Sequence, residues 1–155
     1  MAGLNGLATL RLAVALGGLV PVSAGLAGAL LGPGMLGTEI LGAEILRAEI
    51  LGAEILGAEI PAASLAVDSH YRYLSGLLLG IGLGFWSTLP DPLRHTSRFR
   101  LLTAIVVLGG LARLLGLVLR GAPGRPMLAA LGMELVVTPL LCLWQARLAA
   151  PPAAA

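Results

Sequence analysis

Two charges stand alone inside apolar stretches of this chain: Arg113 within residues 101–119, and Glu134 within residues 127–144. A lone ionised side chain in hydrocarbon costs roughly 2.5–3.5 kcal/mol even on a lenient insertion scale, so each group needs a partner. If the two stretches are antiparallel membrane spans, both charges lie roughly 9–10 Å below the same surface, at 1.5 Å per residue. Such a pair supports two kinds of chemistry. It can fasten one helix to another, or the guanidinium can hold an anion while the carboxylate sets the charge state or relays a proton. Asp68, His70 and Arg72 open a third apolar stretch and extend the same list. Asp68 is placed as a helix N-cap and Arg72, four residues on, as its ion-pair partner, while His70 points elsewhere. The bland reading is a capped interfacial helix start. The sharper one is an outer-half polar cavity formed by Asp68, His70, Arg72, Arg113 and Glu134.

No nucleophile–base pair or phosphate-binding loop stands beside these groups, so no enzyme activity is expected. Cys142 and the two histidines, His70 and His95, make neither a disulfide nor a metal-ligand set, so no metal or cofactor is expected.

The elements that must position these residues follow from composition. Of 155 residues, 57% are hydrophobic and only 12% charged, against about 25% in a soluble domain. So few charges cannot cover a water-facing surface, and the expected partner is the lipid bilayer. There is no basic stripe of the kind that binds nucleic acid. Four stretches approach the roughly 17–25 residues of a spanning helix: 12–31, 73–89, 101–119 and 127–144. The expected fold is therefore an all-α four-helix transmembrane bundle, a single domain over residues 1–150 with a disordered tail at 151–155. Pro90-Asp91-Pro92 stops the second span, because proline donates no ladder bond and restrains its predecessor. The short breaker from Gly121 to Pro126 makes the third and fourth spans antiparallel neighbours. Arg11 and the Ala27-Gly28-Ala29 triplet fit a secretory signal loosely, but the first stretch is too long and is split by Pro21, so a retained span is expected. Arg94, Arg98 and Arg100 crowd one short connector on the side that also holds Arg11 and Arg147. By the positive-inside rule both termini are cytoplasmic.

Glycine supplies the packing signal. Gly76, Gly80 and Gly84 recur every four residues on the second span, and Ala13, Gly17, Pro21, Gly25 and Ala29 do so on the first. Apolar helices gain nothing from hydrophobicity in lipid, so close backbone approach must join them. The stripes predict contact between spans one and two, or a seam with a second copy or another membrane protein. Pro139 frees the carbonyl of Leu135, which becomes a further candidate acceptor for Arg113.

Between the first two spans lies a five-residue repeat over residues 38–60, with Glu39, Glu44, Glu49, Glu54 and Glu59. Each step advances by 140° on a helix, so the carboxylates scatter around the axis and form no amphipathic face. Five carboxylates exclude a span. The repeat is expected to be a partly helical loop at the outer surface without a dedicated function. The unit loosely resembles pentapeptide-repeat solenoids, from which Glu at its second place departs.

Several motifs in order, Asp68-Ser-His-Tyr-Arg-Tyr-Leu-Ser-Gly76, Arg98-Phe-Arg-Leu-Leu-Thr103, Gly109-Gly-Leu-Ala-Arg-Leu114, Met133-Glu-Leu-Val-Val-Thr-Pro-Leu140 and Leu143-Trp-Gln-Ala-Arg147, resemble a bacterial family, the domain of unknown function 4345. The similarity runs from Leu12 to Arg147 and leaves out the repeat, which lengthens the first loop. It implies a four-span protein of the bacterial cytoplasmic membrane whose polar positions are Asp68, Arg72, Arg113 and Glu134, and it supplies no activity. The leading expectation is a non-catalytic structural or accessory membrane component. The alternative is a transporter-like or lipid- or anion-binding protein that uses the polar cluster.

Overall fold

The computed structural model describes residues 2–33, 62–121 and 124–150. The repeat at 38–60 and the tail at 151–155 lie outside the described residues. Within them the chain forms four helices joined by turns, with no strand: α1 (Ala2–Leu31), α2 (Ala62–Trp86), α3 (Thr96–Arg120) and α4 (Arg125–Ala149). Three are long and apolar enough to cross a membrane: Asn5–Leu31 of α1, α3 and α4. The expected second span falls short of that criterion. Helix α2 ends at Trp86, and Ser87–Pro90 form a turn, so its apolar part from Tyr73 is only roughly 20 Å long. The cause is local, since Pro90 and Pro92 withhold the amides that would carry the ladder on. Helix α1 runs ten residues further toward the amino terminus than the apolar stretch does, so Arg11 lies inside it.

Two compact units divide the chain, one of Met1–Leu19 with Leu83–Ala155, the other of Val20–Gly82. In the first, Leu10, Val14 and Phe99 are buried, and Phe85, Leu89, Leu141, Cys142, Trp144 and Leu148 pack on them. Phe85 meets Phe99 edge to face at 5.1 Å. Helices α3 and α4 are antiparallel neighbours: Gln145 near the end of α4 reaches Thr96 at the start of α3, and Glu134 reaches Arg113. Gly121 and Gly124, at φ +94° and +27°, make the sharp reversal between them, in a region that only glycine adopts without strain.

In the second unit α1 and α2 run antiparallel at glycine distance. A Cβ on Gly25 would lie 2.5 Å from the Leu79 amide nitrogen, and one on Gly28 would collide with the Ser75 hydroxyl. On α2 the close approach is at Gly82, against Val22 and Pro21. This corrects the expected stripe as the contact between spans one and two. A Cβ on Gly76 or Gly80 would meet no atom within 4 Å, and Gly84 packs on Leu102 in the other unit's own interior. The glycines of α1 match the reading better, because Gly25 is among those that do pack.

Across both units the distribution of polarity is compatible with a lipid-covered protein. Thr88 and Gln145 are fully buried, while Leu108, Val118 and Leu119 are 66%, 73% and 69% exposed. In water such a surface would aggregate, whereas hydrocarbon covers it without cost.

Candidate functional site

Arg113 and Glu134 meet. The Arg113 Nε donates to one Glu134 oxygen at 2.9 Å, and its NH2 donates to the other at 3.0 Å. This is the planar two-point pairing that a guanidinium makes with a carboxylate and an ammonium cannot. The remaining terminal nitrogen, NH1, donates to the Met127 sulfur at 3.1 Å. That replaces the expected acceptor, since the Leu135 carbonyl receives no bond from Arg113. The side chains are 34% and 20% exposed, so protein encloses most of the pair and leaves one flank open at the helix surface.

Local structure explains how two helices come close enough. A Cβ on Gly110, one turn before Arg113, would lie 2.9 Å from the Glu134 Cβ and 2.7 Å from a Leu135 methyl. Gly110 is buried there, and its missing side chain is what admits the base of the carboxylate arm. A Cβ on Gly109 or Gly116, the glycines that spacing alone puts beside Arg113, would meet nothing within 4 Å.

Glu134 sits in a wide turn. Residues Met133–Val137 form a π-helical segment, in which the Thr138 amide bonds the Met133 carbonyl five residues back. The Thr138 hydroxyl donates to the same carbonyl at 2.9 Å. Pro139 has no amide to return to this turn, so widening it sacrifices little hydrogen bonding. Met127 lies seven residues, two turns, before Glu134 and so shares its side of α4. Periodicity could have found Met127 and Gly110. Nothing in it signals the π segment.

Asp68 and Arg72 also pair, at 2.8 Å, in the unit of residues 20–82. Helix α2 starts at Ala62, six residues earlier, so Asp68 is not the N-cap that the sequence suggests. The arginine does the capping, and at the other helix. Its NH1 donates to the carbonyls of Ala29 and Leu30 at 2.9 Å each, answering acceptors that the end of α1 leaves without ladder partners. Gly32, at φ +69°, turns the chain there, and a Cβ on it would press on Arg72 and Asp68. The hydrogen bond to Asp68 raises the pKa of Arg72, which stands just before the apolar part of α2, and keeps it charged. His70 is exposed, with its ring 6.4 Å from that of Tyr73. Arg113 and Glu134 belong to the unit that contains residues 83–155.

A third polar assembly surrounds the connector from Ser87 to His95, and sequence reasoning missed it. Gln145, fully buried, donates through Nε2 to the Pro92 carbonyl and to the Thr96 hydroxyl, both at 2.8 Å. Arg11 donates to the Pro90 carbonyl at 2.6 Å, Arg98 to the Ser87 hydroxyl at 3.1 Å, and the Trp86 indole to the Ala15 carbonyl at 3.1 Å. Proline turns expose carbonyls that no ladder claims, and these side chains claim them. Among the described residues no group of three His, Cys, Asp or Glu side chains is placed to hold a metal.

The family model described as Domain of unknown function (DUF4345) matches residues 9–145. No curated protein and no solved structure matches the chain.

Proposed function

The chain belongs to the family of the domain of unknown function 4345, and from that premise we propose that it is a non-catalytic integral membrane protein, a structural or accessory component of a bacterial cytoplasmic membrane. In this reading the polypeptide crosses the bilayer four times with both termini in the cytoplasm. Helix α2 crosses with its Asp68–Arg72 pair at the outer boundary, and the chain works with a second copy or another membrane protein. One observation carries the reading: the Arg113 guanidinium and the Glu134 carboxylate satisfy each other at two points between α3 and α4. Two charges that satisfy each other fasten helices, and neither of the two is left as a free acid or base. Arg72 supports the same reading, because its donors go to Asp68 and to the end of α1.

A second reading has its own observation. Arg113 is a third exposed, and its NH1 is turned to a thioether, a weak acceptor that an anion or lipid phosphate would displace. Glu134 would then set the charge of a binding site. Replacing both groups with leucine separates the two. The structural reading expects R113L/E134L to stay in the membrane fraction after alkaline carbonate, to remain folded in detergent and to support its cell as the unmodified chain does. A folded double variant that has lost a bound anion, or the cell's phenotype, would instead favour the second reading.

A further inference from the structure

We propose that the arginine-lined end of the unit formed by residues 1–19 and 83–155 binds the phosphate of an anionic phospholipid headgroup. The proposal rests on the membrane reading above and adds a ligand to it.

Five arginines come to this end: Arg11 in α1, Arg94 in the connector, Arg98 and Arg100 at the start of α3, and Arg147 at the end of α4. All five are exposed. Hydrogen bonds fix their common location. Arg11 holds the Pro90 carbonyl, and Gln145, two residues before Arg147, holds Pro92 and Thr96. Asp91 is the one carboxylate in the connector, and one of its oxygens accepts the Arg94 backbone amide. The side chains of Arg94, Arg100 and Arg147 donate to no acceptor among the described residues. Arg11 and Arg98 each spend one nitrogen and keep the rest of the fork. Buried Phe99, Pro92 and Gln145 make the platform under them firm. A set of guanidinium forks gathered at one end of a firm scaffold can receive a phosphate, because each fork matches two phosphate oxygens.

What lies next to the arginines selects a lipid over a soluble phosphate. Along α3, Arg98 is followed on the same face by Leu101, Ile105 and Leu108, which are 62%, 42% and 66% exposed. Along α4, Arg147 is preceded on its face by Leu143, Leu140 and Val136, which are 57%, 58% and 55% exposed. Each stripe carries a cation at its polar end and an open apolar track below it. A phospholipid has the same order, a phosphate followed by acyl chains. An inorganic phosphate or a nucleic acid has no use for the track.

The test uses the full chain in nanodiscs of phosphatidylcholine with a minority of phosphatidylglycerol, and native mass spectrometry of the lipids that remain bound. The unmodified protein is expected to retain phosphatidylglycerol in preference to phosphatidylcholine, and R94Q/R100Q/R147Q to reduce that preference about tenfold or more. These three side chains hold nothing in the protein, so the variant should fold. R120Q/R125Q, at the opposite ends of the same helices, should keep the preference. No preference in the unmodified protein, an equal loss in R120Q/R125Q, or displacement of the lipid by inorganic phosphate would each overturn the proposal. Release of the unmodified chain by alkaline carbonate would instead fail the membrane reading, whereas an embedded chain without lipid preference fails this inference alone.

Discussion

Gly110 stands opposite Glu134 so closely that a Cβ on the glycine would lie 2.9 Å from the Cβ of the glutamate. The ion pair one turn away depends on this approach, because the atom that would be struck is the root of the Glu134 side chain and cannot swing aside. G110A should therefore push α4 away from α3 and lengthen both Arg113–Glu134 bonds. Overpacking of this kind costs about 1–3 kcal/mol. G109A, at a glycine with open space around it, should be neutral or slightly stabilising through helix propensity. Thermal unfolding of the two variants in the same detergent, followed by helical circular dichroism, checks the contrast. Equal midpoints would show that the helices do not meet at Gly110.

Removing one charge of the pair should cost more than removing both. E134Q leaves the Arg113 cation without its counter-ion, and a lone charge in a helix centre costs roughly 2.5–3.5 kcal/mol in lipid. R113Q strands the carboxylate in the same way. In R113Q/E134Q two neutral amides can bond each other, so the loss should be well below the sum of the single losses. A double-mutant cycle on unfolding in detergent measures the coupling. Additive losses would mean that the two groups act independently.

Most of the helices and both ion pairs were legible from residue order, for reasons that can be stated. Arg113 and Glu134 could be matched because each lies at a countable depth below one short breaker, and Asp68 and Arg72 because four residues make one helical turn. The glycines were harder. Gly109 and Gly110 are adjacent, and Gly80, Gly82 and Gly84 alternate, so apolar periodicity cannot say which of them faces a neighbour. Only the partner helix decides: Gly110 faces α4, Gly82 faces α1 and Gly84 faces α3, while Gly109 and Gly80 face none. The π segment at Met133–Val137 was invisible because a turn of this width has no composition of its own, and Pro139 signals a missing donor without saying how the backbone adjusts. Gln145 follows directly on the last apolar stretch, where a polar residue reads only as the end of a span. Its role emerges only once the chain folds back and presents the Pro92 carbonyl to it.

Arg72 should matter more to α1 than to its own helix. Its NH1 serves the carbonyls of Ala29 and Leu30, which accept no backbone amide among the described residues. R72Q is expected to fray the last turn of α1 and to raise amide hydrogen exchange across residues 26–32, with a loss of about 1–2 kcal/mol in local stability. D68N should have a milder effect, since Arg72 keeps both carbonyls without it. Hydrogen–deuterium exchange of the three proteins in one detergent distinguishes the cases. Unchanged protection in R72Q would remove the capping role.

The connector between α2 and α3 provides the last prediction. Gln145 is wholly buried and bonds the Pro92 carbonyl and the Thr96 hydroxyl through one nitrogen, while its own oxygen finds no partner among the described residues. Q145L keeps the volume and removes that orphaned oxygen, which favours the variant. It also leaves the Pro92 carbonyl buried without a donor, which costs about 1–3 kcal/mol. Thr96 loses less, because its hydroxyl still donates to the Leu93 carbonyl. The carbonyl cost is the larger, so Q145L should destabilise the connector and loosen the backbone around Arg94 and Arg98, which a protease needs in extended form. Limited trypsin digestion in detergent reads this directly: cleavage after Arg94 or Arg98 should be faster in Q145L than in the unmodified chain. Equal rates would mean that the connector is held by Arg11 and the buried Phe99 without help from the glutamine.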